Sequence, residues 1–383
     1  MKKQEVIVSV TSDIATDQRI KRICSTLHEA GYSILVTGRQ LDGSLDVDNF
    51  PCRIRRVRHW FNKGWLFYAE YNMRLLIFLL FSKFDILHSN DLDTLPANFL
   101  ASRLKRKILI YDSHEFFTEV PELNRRKTVK RIWEAIENLI FPRLNHIITV
   151  SNSIAREYCR KYGKEIQVIR NLPEKTEIRS PRDPSYYGLP PGKKLVILQG
   201  TGINRERGAE EAVSSMKLVK DAVLIIAGRG DVIPGLKEQV KKYSLNDRIF
   251  FLPAMPYREL MQLTCICHAG LSLDKDTSLN YRFSLPNKLF DYIAAGIPVV
   301  ASPLPEVKEI VEKYGIGLII ENHSPVEIAG KISKILYDIP RNHWKDNLIR
   351  ASEELNWERE KQKLLNIYNY STGNYNISSG LPY

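Results

Sequence analysis

Short, fully apolar β-branched runs alternate with helical segments along this chain, and they do so in two successive series. Strands that are apolar on both faces and separated by helices indicate parallel sheets covered by helices on both sides. Two of the predicted helices are Asp17–Ala30 and Thr94–Lys105. The predicted strands are Val6–Val10, Ser33–Thr37, Arg53–Arg58, Asp85–Ser89, Lys107–Asp112 and His146–Ser151 in the first series, and Leu195–Gly200, Ala222–Gly228, Ile249–Leu252, Ala269–Leu273, Val299–Ser302 and Gly317–Glu321 in the second.

The strand pattern breaks between the two series. Residues 172–194 are rich in proline, glycine and charge, which is typical of a linker. We therefore predict a first domain (1–172), a linker (173–193), a second domain (194–352), an amphipathic C-terminal helix (353–370) and a Ser/Gly/Asn-rich disordered tail (371–383). A chain of 383 residues is long enough for two such cores. Ligands of doubly wound sheets bind outside the carboxyl ends of the strands, here in a cleft between the domains.

The composition, 44% hydrophobic and 26% charged, is that of a soluble globular protein. The apolar run Val6–Val10 is too short for a signal peptide. The longest apolar run, Leu75–Phe81, falls far short of the roughly 20 residues that span a bilayer. We predict a cytoplasmic protein, with peripheral attachment to the inner face of a membrane left open. The five scattered cysteines suit reduced thiols, and the run Cys265–His268 suits core packing better than a metal site.

The net charge of +12 is concentrated in the first half of the chain. Residues 1–170 contain 28 Lys and Arg against 19 Asp and Glu, a net charge of +9. Such a surplus predicts an anionic partner, which could be a membrane surface, an acidic acceptor or a nucleic acid.

The segment 280–302 reads as a polar loop, a helix, a glycine turn and a buried strand. Ser284 is predicted to cap the helix, with Pro286 in its first turn. The free amides of that turn, together with Lys288, form a predicted anion site. Asp291 lies one turn beyond Asn287, where its carboxylate can accept from a sugar hydroxyl. A sugar nucleotide can be held in this way.

A second glycine-containing loop, Gly200–Gly208, follows a buried strand. Its glycines allow backbone to approach a ligand, and Arg205 and Arg207 can neutralise a diphosphate. A solvated strand-to-helix turn is the alternative interpretation. The loop Gly228–Gly230 repeats the arrangement one strand further on.

These segments resemble the donor-binding signature of the retaining glycosyltransferases of family 4, over about residues 5–370. The resemblance implies the GT-B fold: two Rossmann-like domains facing a cleft, with the C-terminal helix crossing back to the first domain. This chain departs from the family where Phe283 replaces the first of two glutamates eight positions apart, and Asp291 stands at the second. Its Ser284–Phe290 segment matches a subgroup pattern. The implied donor-binding residues are Asn204, Arg205, Arg207, Gly208, Leu285, Lys288 and Asp291.

The first domain offers candidate chemistry at two strand ends. His114 matches a family histidine near the donor sugar, and Asp91 matches a frequent family acid; simple capping of the strand end is the alternative for His114. His88 is interpreted as structural. Asp17 either charges a helix N-terminus favourably or borders the acceptor site together with Arg19, and the sequence leaves both open.

The family resemblance also implies the reaction. Retention of configuration is expected, and no nucleophile can be named. A front-face route, in which the leaving phosphate helps to deprotonate the acceptor, needs cations on the diphosphate and a shaped site. We therefore expect activity without a metal or any cofactor besides the nucleotide-sugar donor.

Basic and aromatic residues alternate in 53–60 and 65–71, and a second basic run covers 124–131. They suit an anionic membrane surface and a lipid-linked or other glycan acceptor, or simply a solvated face. Two other function classes remain open: a GT-B sugar-nucleotide 2-epimerase, which Phe283 disfavours, and a non-catalytic basic binding protein, including a silent glycosyltransferase-like partner. No nucleic-acid recognition motif is present, so a nucleic-acid partner is not expected.

Overall fold

The computed structural model describes residues 3–42, 44, 46–47, 50–124, 126–175 and 181–372. The chain forms two compact units, one comprising the chain up to Asn171 together with the part from Glu358 onward, the other comprising Leu172–Trp357. Parts of the predicted linker (176–180) and tail (373–383), and Arg125 of the second basic run, lie outside the described residues.

The first unit is built on a seven-stranded parallel sheet with the strand order β3-β2-β1-β4-β5-β6-β7. The predicted strands are confirmed with shifts of a few residues at their ends, and the two-residue β7 was not predicted. Val6, Val8, Ile86 and Ile110 are almost completely buried, as expected for strands covered on both faces. The strands are β1 Glu5–Asp13, β2 Ser33–Arg39, β3 Arg53–Val57, β4 Ile86–Asn90, β5 Ile108–Ser113, β6 His146–Thr149 and β7 Gln167–Val168.

Among the described residues, six helices connect or flank these strands, together with short 3₁₀ turns. The helix predicted for Thr94–Lys105 begins three residues earlier, at Asp91. Two acidic residues in its first turn stabilise the helix N-terminus there. The helices are α1 Gln18–Glu29, α2 Gly64–Phe81, α3 Asp91–Lys105, α4 Pro121–Asn124, α5 Lys127–Ile140 and α6 Asn152–Tyr162.

The second unit is built on a six-stranded parallel sheet with the order β10-β9-β8-β11-β12-β13. All six predicted strands are present. The strands are β8 Lys194–Gly200, β9 Ala222–Gly228, β10 Ile249–Leu252, β11 Ala269–Ser272, β12 Val299–Ala301 and β13 Gly317–Ile319. The helices are α7 Ala209–Ser215, α8 Ile233–Lys242, α9 Tyr257–Ile266, α10 Leu279–Arg282, α11 Asn287–Ala294, α12 Pro305–Tyr314, α13 Pro325–Ser333 and α14 Lys345–Glu354.

The last helix, α15 (Trp357–Ser371), returns to the first unit. Its Glu360 carboxylate accepts from the Arg170 amide at 3.0 Å. The Tyr368 hydroxyl lies 2.8 Å from Nδ1 of the buried His88, and its ring packs edge-on against Tyr32. The predicted crossing of the C-terminal helix is therefore present. Within the described chain, every helix is too short or too polar to cross a bilayer.

Candidate active site

In the first unit, polar residues gather where β4 and β5 end. Asn90 of β4 lies opposite Asp112 of β5, so the residues that follow each strand are neighbours. The His114 amide donates to one Asp91 oxygen at 2.8 Å, and ring Nδ1 lies 3.4 Å from the other. Asp91 has a φ of 58°, a conformation that costs a non-glycine residue about 1–3 kcal/mol. The contact with His114 offsets part of that strain.

Asp112 lies at the centre of this group. Its side chain is 0% exposed, and its two oxygens accept from Arg19 Nε at 3.0 Å and Nη2 at 2.8 Å. Nε2 of His88 and Nε2 of His114 each lie 3.4 Å from one Asp112 oxygen. We call Arg19, His88, Asp91, Asp112 and His114 the His114 cluster.

Arg19 is not placed as predicted for a residue bordering an acceptor. Its side chain is only 3% exposed, and Nη1 donates to the Ile169 carbonyl at 2.9 Å. Arg19 therefore orients Asp112 from the interior, because its guanidinium donates to both Asp112 oxygens and to a backbone carbonyl. Asp17 is the N-cap of α1: it accepts from the Ile20 amide at 3.1 Å and from the Ser12 hydroxyl at 2.9 Å. The capping interpretation of Asp17 is thus observed, and its acceptor role stays a prediction.

The His114 cluster has an unusual charge state. Burial lowers the pKa of His114, but Asp91 and Asp112 outweigh it and raise the pKa to about 9. Burial raises the pKa of Asp112, yet Arg19 and His114 hold that pKa well below its usual range. Burial also raises the pKa of Asp91, and His114 offsets part of this. At neutral pH the His114 side chain, 20% exposed, is therefore a cation held by two carboxyl groups.

In the second unit, the predicted cap of the donor-binding helix is wrong. Pro286 is the N-cap residue of α11, so it stands before the first turn and not in it, and no side chain caps the helix. The Ser284 hydroxyl donates instead to the Tyr281 carbonyl at 2.8 Å. The reason is the short helix α10 directly upstream, whose last turn presents the Tyr281 carbonyl as a hydrogen-bond acceptor for the hydroxyl.

The predicted cations Arg207 and Lys288 are brought together by a carboxylate that sequence reasoning missed. Asp274 follows β11, its side chain is 1% exposed, and it lies 3.1 Å from Arg207 Nη1 and 3.0 Å from Lys288 Nζ. The Arg207 guanidinium also lies 4.7 Å from the centre of the Tyr281 ring. The available signal was an acid just after a buried strand, where ligands of parallel sheets bind. We call Arg207, Asp274 and Lys288 the Asp274 cluster.

The Asp274 cluster has more positive than negative groups. Burial raises the pKa of Asp274, but Lys288 and Arg207 together lower it below its usual value. Burial lowers the pKa of Lys288, and Asp274 offsets only part of that effect. With Lys288 protonated, two cations share one carboxylate beside the N-terminus of α11. The cluster can therefore bind an anion such as a phosphate, whose oxygens accept hydrogen bonds from the two cations.

Asp291 lies in α11 and is held by two donors. Gln199 Nε2 donates to one oxygen at 3.0 Å and the Tyr257 hydroxyl to the other at 2.8 Å. The residue is 9% exposed, so the carboxylate has a fixed orientation. Phe283 and Leu285 are half-buried, and the role of Asp291 towards a ribose stays a prediction.

The glycines of the two neighbouring loops allow the backbones to pack closely, and their predicted approach to a ligand stays a prediction. A Cβ on Gly228 would lie 1.8 Å from the Gly200 carbonyl oxygen, and one on Gly230 would lie 1.9 Å from the Ile203 oxygen. Gly208 has a φ of 75°, and its Cβ would meet Leu273 at 2.4 Å. A side chain at any of the three would separate these backbones.

The remaining predicted donor residues of this region are less constrained. The Asn204 side-chain oxygen accepts from the Asp231 amide at 3.2 Å, which joins the two loops. Arg205 is exposed.

The cysteine-histidine run at the end of α9 is used in packing. Cys267 is buried, and its thiol donates to the Leu263 carbonyl at 3.3 Å. His268 Nδ1 accepts from the Leu195 amide at 3.1 Å, and burial lowers the pKa of His268 to about 4. These contacts agree with the predicted core role.

Two family models match the chain. The model described as Glycosyl transferases group 1 matches residues 187–350, and the model described as Glycosyltransferase Family 4 matches residues 17–172. Each match falls largely within one of the two structural units.

Relatives and solved structures are similar over most of their length. An uncharacterized glycosyltransferase of Methanocaldococcus jannaschii is 23% identical over 82% of this chain and 83% of its own. A chitobiosyldiphosphodolichol beta-mannosyltransferase of Kluyveromyces lactis is 20% identical over 96% of this chain and 91% of its own.

Among solved structures, sucrose-phosphate synthase of Thermosynechococcus elongatus has a TM-score of 0.77 at 16% identity, covering 97% of this chain and 100% of that one. Anabaena HepE in complex with UDP-glucose has a TM-score of 0.75 at 15% identity, covering 96% and 100%. At these identities the structures show the fold alone. Together with the two family models, they show that the chain belongs to the family 4 glycosyltransferases, the glycosyl transferases group 1, with the GT-B fold.

Proposed function

We propose that this glycosyltransferase moves a sugar from a nucleoside-diphosphate sugar to a glycan or lipid-linked acceptor, with retention of configuration and without a bound metal ion. The observation that carries the proposal is the Asp274 cluster, which places Arg207 and Lys288 on one buried carboxylate beside a helix N-terminus. Such a pair, with free helix amides, is suited to the negative charge that develops on a leaving diphosphate. The reaction would take place in the cytoplasm, at the inner face of a membrane.

Two similarities support the substrate classes. Anabaena HepE has been solved with UDP and with UDP-glucose, which supports a nucleotide-sugar donor for this chain. The Kluyveromyces lactis relative is named for a mannosyl transfer to a dolichol-linked chitobiosyl diphosphate, which supports a lipid-linked acceptor. Asp291, fixed by Gln199 and Tyr257, is the residue that we assign to the ribose hydroxyls.

Nucleotide binding tests the donor site directly. We expect one of UDP, GDP, ADP, CMP and dTDP to raise Tm, since a ligand at 100 times its Kd adds about 2.7 kcal/mol to stability. Arg207→Gln and Asp291→Ala should each weaken binding by roughly tenfold or more, because each removes a hydrogen bond to or from a charged group. Arg282→Gln is the matched control, because Arg282 is half-exposed and makes a long, 3.7 Å ion pair with the equally exposed Asp276. Its loss should leave nucleotide binding unchanged. No shift with any nucleotide, or equal shifts in all variants, contradicts the assignment.

Transfer, its metal requirement and its stereochemistry are tested in one assay. We expect product from a matching nucleotide sugar and a lipid-linked glycan, unchanged turnover in the presence of EDTA, and an anomeric configuration equal to that of the donor. Retention is open to a sharp test, because the Kluyveromyces lactis relative is named for a beta linkage. An inverted product refutes retention, and loss of turnover with EDTA refutes metal independence. A donor sugar altered without any acceptor would instead indicate an epimerase.

A further inference from the structure

Three helices of the first unit expose large apolar side chains. Phe81, at the end of α2, is 88% exposed, although it belongs to a folded helix. The whole set, each at least 48% exposed, consists of Met73, Ile77 and Phe81 on α2, Leu100 and Leu104 on α3, and Ile132 and Leu139 on α5. We call these seven side chains the three-helix face.

The three helices lie side by side in one layer. The Asn72 amide of α2 donates to the Asp93 carbonyl of α3 at 2.8 Å. Near the other end of the same helices, Lys105 Nζ donates to the Ser82 carbonyl at 2.6 Å. The rings of Tyr68 on α2 and Trp133 on α5 pack edge to face at 5.1 Å. Their exposed side chains therefore belong to a single surface of the unit.

The fold does not require this surface to be apolar. Helix α2 has two apolar stripes, each with a spacing of four residues. One stripe, Phe67, Tyr71, Leu75 and Leu79, is buried in the core. The other, Met73, Ile77 and Phe81, faces away from it and is exposed. A surface helix needs only the first stripe to pack, so the second indicates an external contact.

The exposed charge on these helices has one sign. Arg103, Lys127 and Arg131 are exposed. Every acidic residue of the three helices, Glu70, Asp91, Asp93, Glu134 and Glu137, is buried or half-buried. Trp60 and Trp65, 83% and 73% exposed, stand just before and at the start of α2, and tryptophan favours the depth of lipid headgroups. Apolar side chains with tryptophans and cations around them match the chemistry of an anionic bilayer surface.

We propose that the three-helix face docks this enzyme on an anionic lipid bilayer. The occupant is a bilayer and not a second copy of the chain, because a second copy would bring the same exposed cations, and the net positive charge, against this face. One stripe of α2 is packed in the protein core, so α2 cannot insert across the bilayer. It would lie along the bilayer surface, with its exposed stripe in contact with lipid. The inference rests on the proposed lipid-linked acceptor for its purpose, but the docking can be measured without any turnover.

Vesicle flotation of the full chain tests the proposal. We expect binding to vesicles of phosphatidylcholine mixed with phosphatidylglycerol, weaker binding to phosphatidylcholine alone, and weaker binding at high salt. The variant Met73→Gln/Ile77→Gln/Phe81→Gln should bind roughly tenfold more weakly or worse. Each of the three apolar side chains would leave water on docking, and the free energy of that transfer favours binding. Arg103→Gln/Arg131→Gln should weaken binding to the anionic vesicles specifically.

The matched control is Leu218→Gln/Val326→Gln/Ile349→Gln, which removes three comparably exposed apolar side chains from the second unit. It should bind vesicles like the wild type. Nucleotide-dependent Tm shifts should be the same in all variants, which separates a failure of docking from a failure of the donor site. Equal vesicle binding by wild type and the α2 variant overturns the proposal. The proposal is also overturned if the wild type does not bind vesicles but forms a dimer, and the α2 variant is monomeric. The partner of the three-helix face is then a second copy of the chain.

Discussion

Replacement of His114 by alanine is expected to lower kcat for sugar transfer by about 10²–10³-fold, the usual cost of removing one group that stabilises developing charge. The side chain is partly exposed at the ends of β4 and β5, and Asp91 and Asp112 hold it from two sides at 3.4 Å. These carboxyl groups keep the imidazole protonated at neutral pH, with a pKa of about 9. The family resemblance predicts a position near the donor sugar for His114, and a cation there would stabilise negative charge as the bond to the diphosphate breaks.

The pH dependence follows from the direction of the pKa shift. The pKa of His114 is raised above its ordinary value of 6.5, so the protonated form is complete below that value and is lost as the pH rises through about 9. We therefore expect wild-type kcat to fall with increasing pH above about 9. His114→Ala should lose this alkaline decrease. The part of the folding free energy that comes from His114 is likewise present at low pH and lost over the same interval.

The control for His114→Ala is His28→Ala, an exposed histidine on α1 of the same unit. It should leave kcat unchanged. Both variants should keep the nucleotide-dependent Tm shift, because the Asp274 cluster lies in the other unit. A His114→Ala enzyme with wild-type kcat and the same alkaline decrease would show that His114 merely ends its strand.

The strands of the parallel sheets were predictable because each strand is marked by a short run of apolar residues in the sequence. Runs such as Ala222–Gly228 and Ile249–Leu252 are apolar on both faces, and the structure gives these two strands the predicted bounds. The element ends were less predictable. Ser284 has the residue type of a helix cap, but a short helix directly upstream places the Tyr281 carbonyl, three residues earlier, within reach of its hydroxyl.

The candidate site was predictable residue by residue but not as a network. His114, Arg207 and Lys288 carry recognisable local signals, whereas the position of Asp274 after a buried strand gives no sign that the fold places it between two cations. The pairing of Arg19 with Asp112 joins residues 93 positions apart, a separation at which one sequence gives no pairing signal. Gly228 was predicted as part of a second glycine-containing loop beside the donor, but its closeness to the Gly200 backbone is a property of the packed loops.

Replacement of Asp112 by asparagine is expected to cost about 3–5 kcal/mol of the free energy of unfolding, although it changes the side chain by one atom. Asp112 is 0% exposed and Arg19 only 3%, so the substitution leaves a buried guanidinium without its counterion. A loss of this size is a large part of the roughly 5–15 kcal/mol that stabilises a typical domain. Urea unfolding followed by tryptophan fluorescence would measure it, because buried tryptophans report on both units, Trp133 on the first and Trp344 on the second.

Asp221→Asn supplies the matched control, because Asp221 pairs with Lys193 at 3.0 Å but is 77% exposed, and such pairs contribute about 1 kcal/mol or less. The double variant Arg19→Met/Asp112→Asn should recover part of the loss, since it removes the unpaired charge. The pKa of Asp112 is depressed, so its stabilisation is present above the ordinary pKa of 3.8 and is lost only as the pH falls through the lower folded pKa. Asp112→Asn should also lower the pKa of His114, because one of the two carboxyl groups that raise it is gone. The alkaline decrease in kcat should then begin at lower pH, and an unchanged pH profile would mean that Asp112 supports the fold without acting on His114.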